Sequence, residues 1–240
     1  KLDSALSNGT PWTWPYEYKN STYSAYISNV LNITDNLLVS AAIRVDHFDN
    51  KGSFNEASGE FSGGYRQTSF SPKFGLVYQP ITDVVSVFAN YQNGFVNQNG
   101  VDYEGKSFKP EQANQIEGGV KVNAFGGKLS STISYYNIKV KDVVRVYPGD
   151  PLYSIQDGTI ISKGLEAEVV ANPIKGLNLV AGFSYNDSKM EKGDADVEGR
   201  RPATASSPYT ANLWVSYRLS QGRLRGLGAG FGGNYASDNK

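Results

Sequence analysis

The sequence has no cysteine, one histidine and one methionine. Disulfides, thiolate chemistry and zinc sites built from His and Cys are therefore excluded. Lys1, Leu2 and Asp3 do not open a basic-then-apolar signal pattern, and no apolar run approaches the ~18 residues of a transmembrane helix. An excess of either charge is missing too: 23 Lys and Arg balance 23 Asp and Glu. That balance argues against a partner held by phosphate neutralisation, so no nucleic acid is expected. Charged residues make up 19% against 39% hydrophobic, too few for a disordered chain. What the 240 residues do contain is 16 Tyr, 11 Phe, 3 Trp, 26 Gly and 10 Pro, a mixture that favours strands and turns. The absence of an apolar helix says nothing against a transmembrane β-barrel, whose lipid-facing residues are diluted by lumen-facing ones.

Alternation at period two recurs down the chain. Ile116, Val120 and Val122 alternate with Gln115, Glu117, Lys121 and Asn123; Leu165, Ala167, Val169 and Ala171 with Gly164, Glu166 and Glu168. The same pattern holds around Leu129 to Tyr135, Leu177 to Tyr185, Tyr209 to Tyr217 and Leu227 to Tyr235. Helical spacing explains none of these. Tyr23 to Ile33, Leu37 to Phe48 and Phe70 to Gln79 follow more loosely, and Val84 to Tyr91 places apolar residues on both faces. About ten strands of roughly eleven residues are expected, tall enough at the usual rise and tilt for a band of ~25 Å.

Connection lengths alternate as well. Short links at residues 34–36, 80–83, 126–127, 172–176 and 220–226 alternate with long ones at 49–69, 95–113, 141–158 and 188–208. Tight turns at one end and extended loops at the other are the layout of an outer-membrane barrel with periplasmic turns and external loops. Tyr23, Tyr78, Tyr91, Tyr135, Phe183, Tyr185, Tyr209, Tyr217 and Tyr235 share the apolar parity, as interfacial girdles require. The competing reading at this point is a soluble all-β sandwich or barrel used for adhesion or carbohydrate binding.

Four segments carry a resemblance. Ser71-Pro72-Lys73-Phe74-Gly75-Leu76-Val77-Tyr78-Gln79-Pro80, Phe108-Lys109-Pro110-Glu111 followed by Ile116-Glu117-Gly118-Gly119-Val120-Lys121, Ser162-Lys163-Gly164-Leu165-Glu166-Ala167-Glu168, and Leu224 to Gly230 resemble, in order and spacing, strands of TonB-dependent ferric-siderophore receptors. The resemblance covers roughly Tyr23 to Tyr235. It implies an all-β, antiparallel up-and-down transmembrane barrel of 22 strands, of which residues 1–240 supply about ten. A plug domain, a TonB-contacting segment and C-terminal strands ending in an aromatic are not found in the sequence, so the chain is expected to be an internal part of the barrel. The implied partners are a ferric siderophore, the TonB complex acting through a plug, and the lipid and lipopolysaccharide of the bacterial outer membrane. Iron is cargo only, and no cofactor is expected. The alternatives are a receptor of the same type for cobalamin or an oligosaccharide, or a passive porin.

Ligand capture asks for aromatic and basic groups on external loops. Trp12, Trp14, Tyr16, Tyr103, Tyr147, Tyr153, Arg200 and Arg201 are the candidates, although the first three also suit an interfacial belt and the arginines also suit anchoring their own loop or contacting lipopolysaccharide. Arg44, Asp46, Glu117, Lys121, Glu166 and Glu168 share the polar parity and are expected to face the lumen and a plug. Glu117 and Lys121 are expected beside Glu166 and Glu168. His47 lacks a nucleophile signature, so no catalytic role is expected. The loop acids Asp142, Asp150, Asp157, Asp187, Asp194, Asp196 and Glu198 lack the calcium-loop register.

Overall fold

The computed structural model describes residues 16–55 and 59–239. Ten antiparallel strands follow one another in sheet order: β1 (Tyr16–Thr34), β2 (Leu37–Asn55), β3 (Glu60–Ile81), β4 (Val85–Val96), β5 (Glu111–Ala124), β6 (Leu129–Val146), β7 (Ser154–Ala171), β8 (Leu177–Lys192), β9 (Tyr209–Arg218) and β10 (Gly228–Ala236). Every connection joins neighbours, as an up-and-down barrel wall requires.

Two compact units divide the chain. Among the described residues, one takes 16–25, 45–55 and 59–69, the other 26–44 and 70–239. The smaller unit holds the far ends of β1, β2 and β3. There Ser24 Oγ donates to Asp46 at 2.5 Å, Asp49 bridges Lys51 at 3.0 Å and Arg66 at 3.2 Å, and Phe54 packs on Phe61.

The larger unit shows why its residues form a two-faced sheet. Residues directly opposite in an antiparallel pair project to the same face. One row across the sheet reads Ala89, Gly118, Tyr135, Leu165, Tyr185, Tyr209; the next reads Val87, Val120, Ile133, Ala167, Phe183, Ala211. On the other face a row reads Ser86, Lys121, Thr132, Glu168, Gly182, Asn212. The register also resolves β4: Val85, Val87, Ala89 and Tyr91 join the apolar rows, while Phe88 turns to the polar face opposite Gly119.

The apolar face is uncovered, with Ile133 53% exposed and Ile116 64%. Phe108 and Pro110 are the buried apolar side chains among the described residues. A soluble sandwich buries such rows between its sheets, so this face is built for lipid. Along β8 the apolar parity runs from Leu177 to Tyr185, about 20 Å of height at the usual rise and tilt, and then turns charged at Asp187, Lys189 and Glu191. Ion pairs mark that edge: Lys163 with Asp187 at 3.6 Å and Lys139 with Glu191 at 2.5 Å. The Tyr91 hydroxyl donates to Asn114 Oδ1 at 2.8 Å, with the phenol's polar end where the band stops, as at a membrane interface.

Two expectations need correction. Most strands are longer than eleven residues; β6 and β7 have 18 each. The expected loop at 49–69 is largely the continuation of β2 to Asn55 and of β3 from Glu60. Past the bilayer both faces of a hairpin are wet, so alternation fades while backbone pairing continues.

Candidate functional site

The polar face of the sheet carries Glu117, Lys121, Glu166 and Glu168. Lys121, Glu166 and Glu168 are exposed on it. Glu117 is half-buried and accepts from Asn90 Nδ2 at 3.4 Å and Gln115 Nε2 at 3.3 Å. These charges share a face but are not neighbours as expected, because β6 lies between β5 and β7. Lys121 reaches Glu168 only across Thr132, and Glu117 is followed by Tyr136 and Gly164. Two strand spacings, about 9.6 Å, separate Lys121 from Glu168. Arg44 is exposed in β2. Asp46 differs from the expected wet wall group: it is fully buried, with the Ser24 hydroxyl on its carboxylate. His47 Nδ1 lies 3.0 Å from Thr68 Oγ1 on the adjoining strand, an inter-strand hydrogen bond.

At the long-loop end the β4–β5 connection is seated on the β6–β7 hairpin. Tyr103 N donates to Ser154 O at 3.1 Å, and Gln156 clasps the Lys109 backbone twice, accepting from its N at 2.7 Å and donating to its O at 2.6 Å. Glu111 accepts from Val144 N at 3.1 Å, and Phe108 is buried against Gly100, where an added Cβ would stand 3.3 Å from its ring. This docking brings Tyr103 and Tyr147 into a stack, with ring centroids 4.2 Å apart and planes 7° from parallel. Glu104 beside it holds the Tyr103 phenol above its ordinary pKa, keeping it a donor. Tyr153 is half exposed on the same hairpin, and its backbone bonds to Asp150 and Tyr147 close that turn.

Two arginines fasten the loops. Arg145 Nε and Nη2 grip Asp157 at 2.6 and 3.0 Å, Nη1 reaches Asp194, and Lys192 adds to Asp157 at 3.2 Å. Thus β6, β7 and the β8–β9 loop meet at one guanidinium. Arg201 turns inward: Nη1 donates to Asn186 O at 2.9 Å, Nη2 to Asn186 Oδ1 at 2.7 Å and to Ser206 O, and Nε to Asn239 at 2.6 Å. Asn186 itself donates to Tyr136 Oη at 2.8 Å and Ser162 Oγ at 2.9 Å, and Ser188 closes the network. Arg201 therefore anchors its own loop to the wall, while Arg200 is exposed. Trp12 and Trp14 lie outside the described residues, and Tyr16 begins β1. Sequence reasoning missed Arg145 and Asn186; the signal available was an arginine breaking the apolar run Val143-Val144-Arg145-Val146.

Comparison with known proteins decides the family. Residues 2–240 match the family described as TonB dependent receptor-like, beta-barrel. The chain belongs to that family. It is a stretch of outer-membrane barrel wall, and its relatives are transport receptors. It is 29% identical over 189 residues to the metal-pseudopaline receptor CntO of Pseudomonas aeruginosa, covering 79% of this chain and 26% of that protein. With the ferrioxamine B receptor of Salmonella typhimurium it shares 30% identity over 154 residues, 64% of this chain and 22% of the relative. Among solved structures, the pyoverdine outer membrane receptor FpvA from Pseudomonas aeruginosa superposes with a TM-score of 0.78 at 23% identity, over 95% of this chain and 32% of that one. The alcaligin receptor FauA from Bordetella pertussis gives 0.74 at 22% identity, over 92% and 38%. The chain spans about a quarter of the length of the curated relatives it matches.

Proposed function

We propose that the TonB-dependent receptor containing this chain takes up a ferric siderophore: the long loops bind the chelate, and the polar face of the wall lines its path. The observation that carries this reading is the two-faced wall crowned at its long-loop end by the seated Tyr103–Tyr147 stack. The named ligands of the relatives, metal-pseudopaline and ferrioxamine B among them, support a metal chelate over cobalamin or an oligosaccharide. In this reading the chain performs no covalent chemistry, iron is cargo, and TonB acts through a plug supplied by the whole receptor. Further strands complete the barrel.

Tyr103, Tyr147, Tyr153 and Arg200 are the described residues proposed to touch the ligand, with Trp12, Trp14 and Tyr16 completing the set. A bulky chelate is gripped by stacking and charge-assisted hydrogen bonds. Arg201 is already committed to Asn186 and holds the loop that presents Arg200. Contact with lipopolysaccharide is supported by Lys139, Lys163 and Lys189, which lie on the lipid-facing parity just above the tyrosine row.

The test is binding to the full-length receptor of a panel of ferric siderophores, cobalamin and an oligosaccharide, read by intrinsic fluorescence. A siderophore is expected to bind, and replacing Tyr103 and Tyr147 by Ala is expected to weaken it on the order of tenfold, from ~0.5–1.5 kcal/mol per aromatic contact. Tight binding of cobalamin or the oligosaccharide with no siderophore bound replaces the substrate class. Ion conductance without saturable binding favours a porin.

A further inference from the structure

The short-turn end of β5 to β10 carries chemistry that transport does not use. In the β5–β6 turn Phe125 is 77% exposed, with Lys128 exposed two residues beyond Gly126. In the β7–β8 turn Ile174, 59% exposed, precedes Lys175. The β9–β10 turn sets Leu224, 63% exposed, between Arg223 and Arg225. None of these three turns contains an Asp or Glu, whereas the β1–β2 and β3–β4 turns carry Asp35 and Asp83.

Phe125 supplies an independent observation. Its φ is 55°, in the left-handed region that bulky residues rarely adopt, and Gly126 follows at 65°. Asn or Gly makes such a turn without strain. A large ring at the tip, facing solvent, gains nothing inside the chain. Its gain lies in what it meets outside.

Exposed apolar tips interleaved with cations suit an anionic lipid interface, where rings and alkyl chains enter the headgroup boundary and cations meet phosphates. The tips stand just beyond the row Leu177–Tyr217, at the lower edge of the apolar band. Short turns of such barrels face the periplasm. We infer that the short turns of β5 to β10 form a collar that docks on anionic phospholipid headgroups of the periplasmic leaflet. Charge complementarity favours a phosphate with net negative charge over a zwitterionic headgroup.

The test places the full-length receptor in nanodiscs of phosphatidylcholine with and without phosphatidylglycerol, then counts retained lipids by native mass spectrometry and reads Tm. Wild type is expected to prefer phosphatidylglycerol on the order of tenfold. Combined Lys128→Gln, Lys175→Gln, Arg223→Gln and Arg225→Gln is expected to bring that preference close to one; if this variant does not assemble, the Lys128/Lys175 and Arg223/Arg225 pairs carry the comparison. Phe125→Asn, which accepts the same backbone, is expected to retain fewer lipids of both kinds with no fall in Tm in detergent. The collar is overturned if the charge variants keep the wild-type preference, if Lys139→Gln with Lys189→Gln at the other end loses as much, or if soluble glycerol phosphate raises Tm as much as phosphatidylglycerol does. No siderophore enters the readout, so the outcome is separable from that of the uptake reading.

Discussion

The phenol of Tyr136 lies across Gly164: a Cβ added there would meet its hydroxyl at 2.6 Å and the Tyr185 carbonyl oxygen at 2.2 Å. The arrangement repeats on the polar face. Phe88 covers Gly119, whose added Cβ would stand 2.6 Å from the ring, and Trp214 covers Gly230 and Gly232 at 2.6 and 2.5 Å. An aromatic standing upright on this face would project from the sheet, and a glycine opposite lets the ring lie down along it. Strand glycines normally weaken a sheet, and here the neighbouring ring occupies the space a side chain would fill.

Gly119→Val and Gly164→Val should therefore destabilise the full-length receptor by ~1–3 kcal/mol through overpacking. Gly118, on the lipid face with its nearest neighbour at an ordinary 3.5 Å, should accept Ala within about 0.5 kcal/mol. Denaturant midpoints in detergent measure all three. Equal midpoints for the Gly118 and Gly119 variants would remove the argument.

The long-loop fastening at Arg145 has a pH signature. The Arg145 hydrogen bond, and then Lys192, hold the Asp157 carboxyl below its ordinary range, with burial opposing. A folded pKa below the unfolded ~3.9 stabilises fully above that value and is lost as pH falls through the lowered folded one. Hydrogen-exchange protection of the β6–β7 and β8–β9 loops should hold at about pH 5 and collapse only below ~4. Arg145→Gln should lower protection at neutral pH and flatten the acid step, leaving membrane-band strands unchanged. Protection that ignores the substitution would show that the cluster does not fasten the loops.

The strand count, the two faces and the turn ends were legible because lipid on one side and water on the other impose period two. Legibility stopped where that contrast stops. The β2–β3 hairpin past Phe48 has water on both sides, so residues 49–69 resembled a loop although β2 reaches Asn55. The spacing of Glu117 and Glu166 needed the register, since parity places residues on a face without saying that β6 intervenes. Arg201 takes the loop-anchoring alternative, through Asn186, whereas Asp46 was misjudged because its partner, Ser24, is distant in sequence and polar. Nothing local distinguishes such a residue from a solvated one.

The exposed acids Glu166 and Glu168 are proposed to meet a plug through hydrated ion pairs. Replacing both by Ala in the whole receptor should weaken plug docking by ~1 kcal/mol or less, because solvated pairs are screened. The loss should be larger at low ionic strength. Protease sensitivity of the plug against salt concentration measures it, and identical curves for wild type and variant at low salt count against a docking role.

Adjacent residues offer the sharpest test of the wall. Ile133 sits near mid-height on the apolar face, opposite Val120 and Ala167, whereas Thr132 sits on the polar face opposite Lys121 and Glu168. A lysine facing lipid at mid-depth costs ~2–4 kcal/mol. Ile133→Lys should therefore lower folding stability in bilayers by about that amount. Thr132→Lys, with water above it and Glu168 alongside, should change stability by no more than about 0.5 kcal/mol. Folding titrations of the full-length receptor into phosphatidylcholine vesicles give both values. Similar costs at the two positions, or the reverse order, would mean that the faces have been assigned the wrong way round, and the conduit built on Lys121, Glu166 and Glu168 would fall with them.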